Sequence, residues 1–165
     1  MCGVCHIMKN CSTMYRLYQA YFSQKMEPYG LGAGQHYFLE EIHRHPGITM
    51  AMLAGQGASD SGTVTRAVRR LEACKYVRVE PDEADRRVKR LYTTPEGEDL
   101  FGVIRALRRE LYSQVMLGMT EEETAQADQL MQRMADNMRL AIAPYVRTEA
   151  RRESSTQNGG LKHET

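Results

Sequence analysis

Residues 59–72 constrain this chain more than any other stretch. Ser59 and Asp60 are both good helix N-caps. After them Val64, Ala67, Val68 and Leu71 recur at i, i+3, i+4, i+7, the spacing of one apolar helix face. At about 100° per residue, Gly62, Thr65, Arg66, Arg69 and Arg70 fall on the opposite face or its flanks. A shorter stretch just before, capped by Thr49, carries Met50, Met52, Leu53 and Ala54 and is broken by Gly55-Gln56-Gly57. Two short helices joined by a tight turn containing Gly predict a helix-turn-helix over 49–72.

The following residues change period. Tyr76-Val77-Arg78-Val79 has strand composition, Pro81-Asp82-Glu83-Ala84-Asp85 is an acidic turn, and Arg86 to Tyr92 alternates as a return strand. This predicts a charged hairpin over 76–92, a wing beside the second helix. Arg86, Arg87, Lys89 and Arg90 put four cations into five residues. Asp85, directly before them, is placed to hold an arginine in a fixed direction. Between 59 and 92, Lys+Arg number nine and Asp+Glu six, in a chain whose net charge is +1. That local excess suits a duplex partner, though specific docking must supply the affinity. Helix residues in a major groove read base edges or phosphates through Arg, Thr and Ser, and Gly lets the backbone approach. The helix start from Ser59 to Thr63 can aim backbone N–H groups at a phosphate. The predicted DNA-binding set is Ser59, Ser61, Gly62, Thr63, Thr65, Arg66, Arg69, Arg70, Asp85, Arg86, Arg87, Lys89 and Arg90.

Flanking segments are helical and apolar. Met14, Leu17, Tyr18, Tyr21 and Phe22 lie on a predicted helix over 11–27, and a short helix follows from Gln35 to His43. Thr94-Pro95 opens a helix with the stripe Leu100, Ile104, Leu107, Leu111 and Val115, stopped by Gly118. Thr120-Glu121-Glu122-Glu123 is a capping box for a last helix bearing Ala127, Leu130, Met131, Met134, Met138 and Ile142, which Pro144 is expected to end. The chain is thus expected to be mainly α with a small β-hairpin wing, a winged helix-turn-helix with flanking dimerisation helices at 11–27 and 95–143. It is read as one domain over 11–145, between a mobile Cys-rich N-terminus (1–10) and a disordered tail (146–165). The apolar flanks exceed what the central module can cover, so a homodimer is expected. With 165 residues, 42% hydrophobic and 26% charged, and no long apolar run, the composition excludes a mostly disordered chain. A soluble, cytoplasmic protein is expected.

The run Ser59 to Glu72 resembles the recognition helix of the MarR family of bacterial transcriptional regulators. Asp85-Arg86-Arg87 with Thr93-Thr94-Pro95-Glu96-Gly97 resembles that family's wing and its exit, and Gln35 with Leu39 the start of its second helix. The resemblance covers about Met14 to Ile142. It implies a dimeric regulator, typically a repressor, that leaves palindromic DNA when a small phenolic or other ligand binds or a cysteine is oxidised. Two departures stand out. Thr93 replaces the usual Leu before Thr94, and Cys74-Lys75-Tyr76 lacks a Gly common there, which changes the turn into the wing.

Other features allow other chemistry. Tyr15, Tyr18, His36 and Tyr37 could line a pocket for a small aromatic effector, or could be core and dimer packing. Cys2-Gly3-Val4-Cys5-His6 matches the haem-attachment string, which a cytoplasmic setting disfavours. With Cys11 it offers four candidate ligands for zinc or iron, but neither metal nor cofactor is expected. Cys11 is the redox candidate: if it lies near a helix start, its thiolate is favoured, and the hydroperoxide-sensing branch of the family looks similar there. Cys74 is read as core. No nucleophilic triad, phosphate-cradling glycine loop or zinc-hydrolase pattern is present, so no enzyme is expected. The alternatives are a thiol-based redox or metal-binding protein using the N-terminal cysteines, and a winged-helix protein-interaction module.

Overall fold

A computed structural model describes residues 3–32, 34–57 and 60–158, with side chains over 6–32, 34–55 and 60–143. In chain order the elements are α1 (Gly3–Met26), a 3-10 turn (Glu27–Tyr29), α2 (Gln35–Arg44), β1 (Ile48–Thr49), α3 (Met50–Gly57), α4 (Ser61–Ala73), β2 (Val77–Pro81), β3 (Lys89–Thr93), α5 (Pro95–Val115) and α6 (Glu121–Asn158). They divide into two compact units, residues 1–111 and 112–165.

Helix α4 forms as its sequence dictates. Asp60 is the N-cap, extended at φ −66° and ψ 153°, and accepts the Thr63 N–H. Val64, Ala67, Val68 and Leu71 are all buried. The helix ends in a two-bond cap, with the Tyr76 N–H donating to Leu71 O at 2.9 Å and the Lys75 N–H to Glu72 O at 2.9 Å. Lys75 therefore takes the left-handed conformation, φ 63°, at a position that favours glycine. The turn into the wing survives the missing glycine at the cost of that strain.

The hairpin is present and has a third strand beside it. The order is β1-β3-β2, all antiparallel, with Val79 and Ile48 both paired to Leu91. Two residues are too few to show a period of two, which is why β1 is invisible in the sequence. Thr49 also caps α3, its hydroxyl oxygen accepting the Met52 N–H at 3.2 Å. Leu91 reaches the core of the 1–111 unit with Phe22, Met26, Leu39, Ile42, Leu53, Leu71 and Ile104.

On α5, Leu100 and Ile104 are buried, Leu107 and Leu111 half-buried, and Val115 exposed. Gly118 (φ 85°) separates α5 from α6. The capping box is reciprocal: Thr120 N–H donates to Glu123 and Glu123 N–H to the Thr120 hydroxyl oxygen. In the 112–165 unit, Leu130, Met131, Met134, Met138 and Ile142 are all exposed within one copy of the chain.

Both ends differ from expectation. Helix α1 begins at Gly3 rather than near 11, since nothing between Val4 and Met26 is a Gly or Pro that would interrupt it. Helix α6 runs through Pro144 to Asn158. An internal proline removes one hydrogen bond and kinks a turn, but the Glu, Ala and Arg residues after it favour helix enough to continue. Residues 159–165 lie outside the described residues.

Candidate nucleic-acid interface

The outer face of α4 and the hairpin tip carry the predicted site. Ser61, Gly62, Arg66 and Arg69 are exposed, and Thr63 and Thr65 half-exposed. Ser59 lies outside the described residues. Thr65 donates its hydroxyl to Ser61 O at 2.8 Å, which leaves its oxygen lone pairs outward. Thr63 bonds to Asp60 twice, through its N–H (2.8 Å) and its hydroxyl (2.6 Å), and accepts from Arg66 Nη2 at 3.1 Å. These bonds hold the Asp60 carboxyl below the usual carboxylate range, the Thr63 hydroxyl contributing most.

Arg86, Arg87 and Lys89 stand exposed at the tip. Two members of the predicted set are also engaged within the chain. Arg70 Nε donates to Gly30 O at 2.7 Å, and Cys74 Sγ lies 3.8 Å from the same oxygen. Tyr76 donates its hydroxyl to Tyr29 O at 3.2 Å. Together these tie the end of α4 to the turn that follows α1. Arg90 pairs with Asp82 through Nε and donates from Nη1 to Gly47 O at 3.0 Å, fixing the hairpin against the chain before β1.

Asp85 does not hold an arginine side chain. Its carboxylate accepts the Arg87 backbone N–H at 3.0 Å, so it shapes the turn. The arginine-holding carboxylate is Asp82, which also accepts the N–H groups of Ala84 and Asp85. These bonds, the Asp85 N–H foremost, hold its pKa below the usual carboxylate range. Sequence reasoning misses Asp82 because two aspartates three residues apart in one turn look equivalent, and only the fold decides which faces β3.

A buried polar cluster sits elsewhere in the 1–111 unit. His36 stacks on Phe22 (ring centroids 4.2 Å apart, 16°) and lies 5.7 Å from the Tyr18 ring. Glu40 pairs with Arg108, which also donates to the Tyr18 hydroxyl at 3.3 Å. Burial first, then the Arg108 charge, lowers the His36 pKa to about 4. Four buried atoms here and nearby, Gln19 Oε1, His36 Nδ1, Glu40 Oε1 and Arg108 Nε, lack a hydrogen-bond partner among the described residues. Of the predicted effector set, Tyr18 and His36 belong to this cluster, Tyr37 packs edge-on to Phe38, and Tyr15 is exposed. Glu40 and Arg108 lie 68 residues apart, and no sequence pattern links them.

Cys11 is a half-buried free thiol well inside α1. Because α1 starts at Gly3, the argument from a helix N-terminus lapses, since that field fades within one turn. Cys2 and the Cys5 side chain lie outside the described residues. Cys74 is half-buried against the core. Among the described residues no three His, Cys, Asp or Glu side chains gather as metal ligands, and no helix is long and apolar enough to cross a membrane.

Comparison with known proteins agrees with this geometry. The model of the MarR family matches residues 29–88, from the end of the 3-10 turn through the hairpin tip. An uncharacterized HTH-type transcriptional regulator, YybA of Bacillus subtilis (strain 168), is 29% identical over 66% of this chain and 72% of its own length. The crystal structure of a MarR transcriptional regulator from Methanosarcina mazei Go1 superposes with a TM-score of 0.75 at 29% identity, covering 82% of this chain and 98% of the other. A putative MarR family regulator from Listeria monocytogenes, solved in complex with a 26mer DNA, shares the fold (TM-score 0.77) at 19% identity, over 96% and 97% of the two chains. Over residues 29–88 the chain matches the MarR family, and the relatives it resembles along most of its length are named as HTH-type or MarR transcriptional regulators.

Proposed function

We propose that two copies of this chain bind a palindromic operator in the cytoplasm and repress transcription until a small molecule or an oxidant releases them. Each copy lays α4 into a major groove, one helical turn from its twin, and sets its β2–β3 hairpin against the flanking backbone. The observation that carries this is the shared exposure of Ser61, Gly62, Thr65, Arg66 and Arg69 on one face of α4, beside the exposed Arg86, Arg87 and Lys89. Arg70 and Arg90 take part through the fold, by fixing α4 and the hairpin. The apolar faces exposed on α1 (Met14, Leu17) and α6 (Met131, Met134, Met138) support burial against a second copy.

The release arm rests on the cluster around Tyr18 and His36. Buried polar atoms with no partner are rare, and three of them in this cluster among the described residues, His36 Nδ1, Glu40 Oε1 and Arg108 Nε, support an aromatic effector with polar groups. Tyr15 and Tyr37 flank that region in sequence. An oxidant acting at Cys11 is the alternative signal, without the helix-end activation.

The test uses the DNA beside the protein's own gene. Full-length protein should bind a palindrome there with steep salt dependence, and phenolic compounds or peroxide should release it. Arg66→Glu and Arg87→Glu should each abolish binding. If both variants bind as the parent does, the DNA-reading role of these residues is wrong. A folded dimer indifferent to every duplex would instead leave a protein-interaction module.

A further inference from the structure

Asp60 is usually no more than the residue that starts a helix, yet its second carboxylate oxygen has another task. Oδ1 accepts the Thr63 N–H at 2.8 Å, and that bond alone completes the N-cap. Oδ2 accepts the Thr63 hydroxyl proton at 2.6 Å. With its proton committed to Asp60, Thr63 Oγ1 can only accept, and it accepts from Arg66 Nη2 at 3.1 Å. Gly62 leaves the space for this. A Cβ there would stand 3.0 Å from Asp60 Oδ1 and 3.9 Å from Arg66 Nη1. Both the carboxylate and the guanidinium thus lie over the bare backbone of Gly62.

We propose that Asp60 is a specificity-determining positioning residue, which acts through Thr63 to preset Arg66 for one base step of the operator. The inference rests on the reading of α4 as the DNA-reading helix. Two effects follow from the geometry. A guanidinium already held along the helix loses less rotamer freedom when it docks, so the correct base is favoured over any arrangement that needs another rotamer. The carboxylate also stands on the face offered to a polyanion, where it repels phosphate generally and is tolerated only when Arg66 is well placed. The relay therefore raises discrimination and lowers non-specific affinity together. A residue that merely stabilised the helix would move both in the same direction.

Asp60→Asn separates the two roles. The amide oxygen still accepts the Thr63 N–H, and Asn caps as well as Asp. Its NH2 now faces the Thr63 hydroxyl as a donor, which reverses the polarity of the relay: the hydroxyl proton loses its carboxylate acceptor, and Arg66 must share the oxygen with a second donor. Thr63→Val keeps the cap and breaks the relay at its middle, while Thr63→Ser restores the hydroxyl.

Full-length parent, Asp60→Asn, Thr63→Val, Thr63→Ser and Arg66→Ala are compared for affinity to a duplex selected from a random pool by the parent, and to an unselected duplex. Thermal unfolding of each checks the fold. Arg66→Ala should lower the selected-to-unselected ratio by about 5- to 150-fold. Asp60→Asn and Thr63→Val should each lower it by about 2- to 12-fold. Asp60→Asn should in addition bind the unselected duplex more tightly, and Thr63→Ser should match the parent. If Arg66→Ala changes the ratio and the other two do not, Asp60 is only a cap and the relay is refuted. The relay is refuted equally if Asp60→Asn weakens both duplexes to the same extent. An unchanged ratio in Arg66→Ala refutes the reading of α4 itself.

Discussion

Gly97, in the first turn of α5, is where the wing returns to the helices, and replacing it with alanine should be severe. The added Cβ would lie 2.1 Å from Tyr76 O and 3.0 Å from Tyr76 C. Both are backbone atoms, so no side chain can swing aside. Reaching even 3.0 Å from the oxygen requires an opening of about 0.9 Å. That displacement stretches the Thr94 N–H bond to Tyr76 O beyond its present 3.1 Å and pulls on the Thr94 hydroxyl bond to Lys75 O, now 2.6 Å. Two hydrogen bonds at about 1 kcal/mol each and overpacking of about 1–3 kcal/mol oppose a gain in helix propensity of at most about 1 kcal/mol. The net loss should be about 2–4 kcal/mol, or roughly 5–15 °C in Tm for a chain of this size. Gly102→Ala is the control, because nothing among the described residues lies within 4 Å of a Cβ there. It should be neutral or stabilise by up to about 1 kcal/mol. Urea unfolding of both variants beside the parent gives the answer. A Gly97→Ala protein within about 0.5 kcal/mol of the parent would mean that Tyr76 and α5 are not packed as described.

Lys75→Gly should act in the opposite sense. It relieves a left-handed strain of about 1–2 kcal/mol and gives back about 0.4–1 kcal/mol in unfolded-chain entropy, so a gain of about 0.5–1 kcal/mol should appear in the urea midpoint, and a loss would contradict the cap. His36 sets a pH window. Its folded pKa, about 4, lies below the ordinary histidine value of 6.5, so the unfolded chain binds the extra proton between these values. Its stabilising contribution is complete above pH 6.5 and is lost as pH falls toward 4, by about 2–3 kcal/mol. His36→Phe keeps a ring against Phe22 and should flatten unfolding free energy against pH in that window; an unchanged slope would place His36 in water.

Much of the fold is legible in the sequence because it is local. The stripe Val64, Ala67, Val68 and Leu71, the Asp60 cap, the Thr94-Pro95 start and the Thr120–Glu123 box are each written within a few residues, and each recurs in the structure. The strand β1 is not legible, since two residues carry no period and Ile48 becomes a strand only because Leu91 offers it a partner. Nor are the helix ends, where a rule about one residue competes with the propensity of its neighbours: Pro144 reads as a stop, and α6 continues past it.

The same distinction between local and distant divides the interface. Periodicity establishes which arginines point away from the core, and it places Arg66, Arg69 and Arg70 on one side of α4 correctly. It does not establish what stands across from them. Gly30 is 40 residues from Arg70, and its carbonyl engages a side chain that periodicity alone leaves free. Gly47 does the same for Arg90 across 43 residues. An arginine count along a helix therefore overstates the free charge on its surface wherever a neighbouring turn ends in an outward carbonyl. Among the described residues of the site, the cations left exposed without such a turn beside them are Arg66 and Arg69 on α4 and Arg86, Arg87 and Lys89 at the hairpin tip. The residues engaged by the fold lie where α4 and the hairpin meet the rest of the chain. A reading element needs both kinds, because a free guanidinium discriminates between bases only if the backbone beneath it is held still.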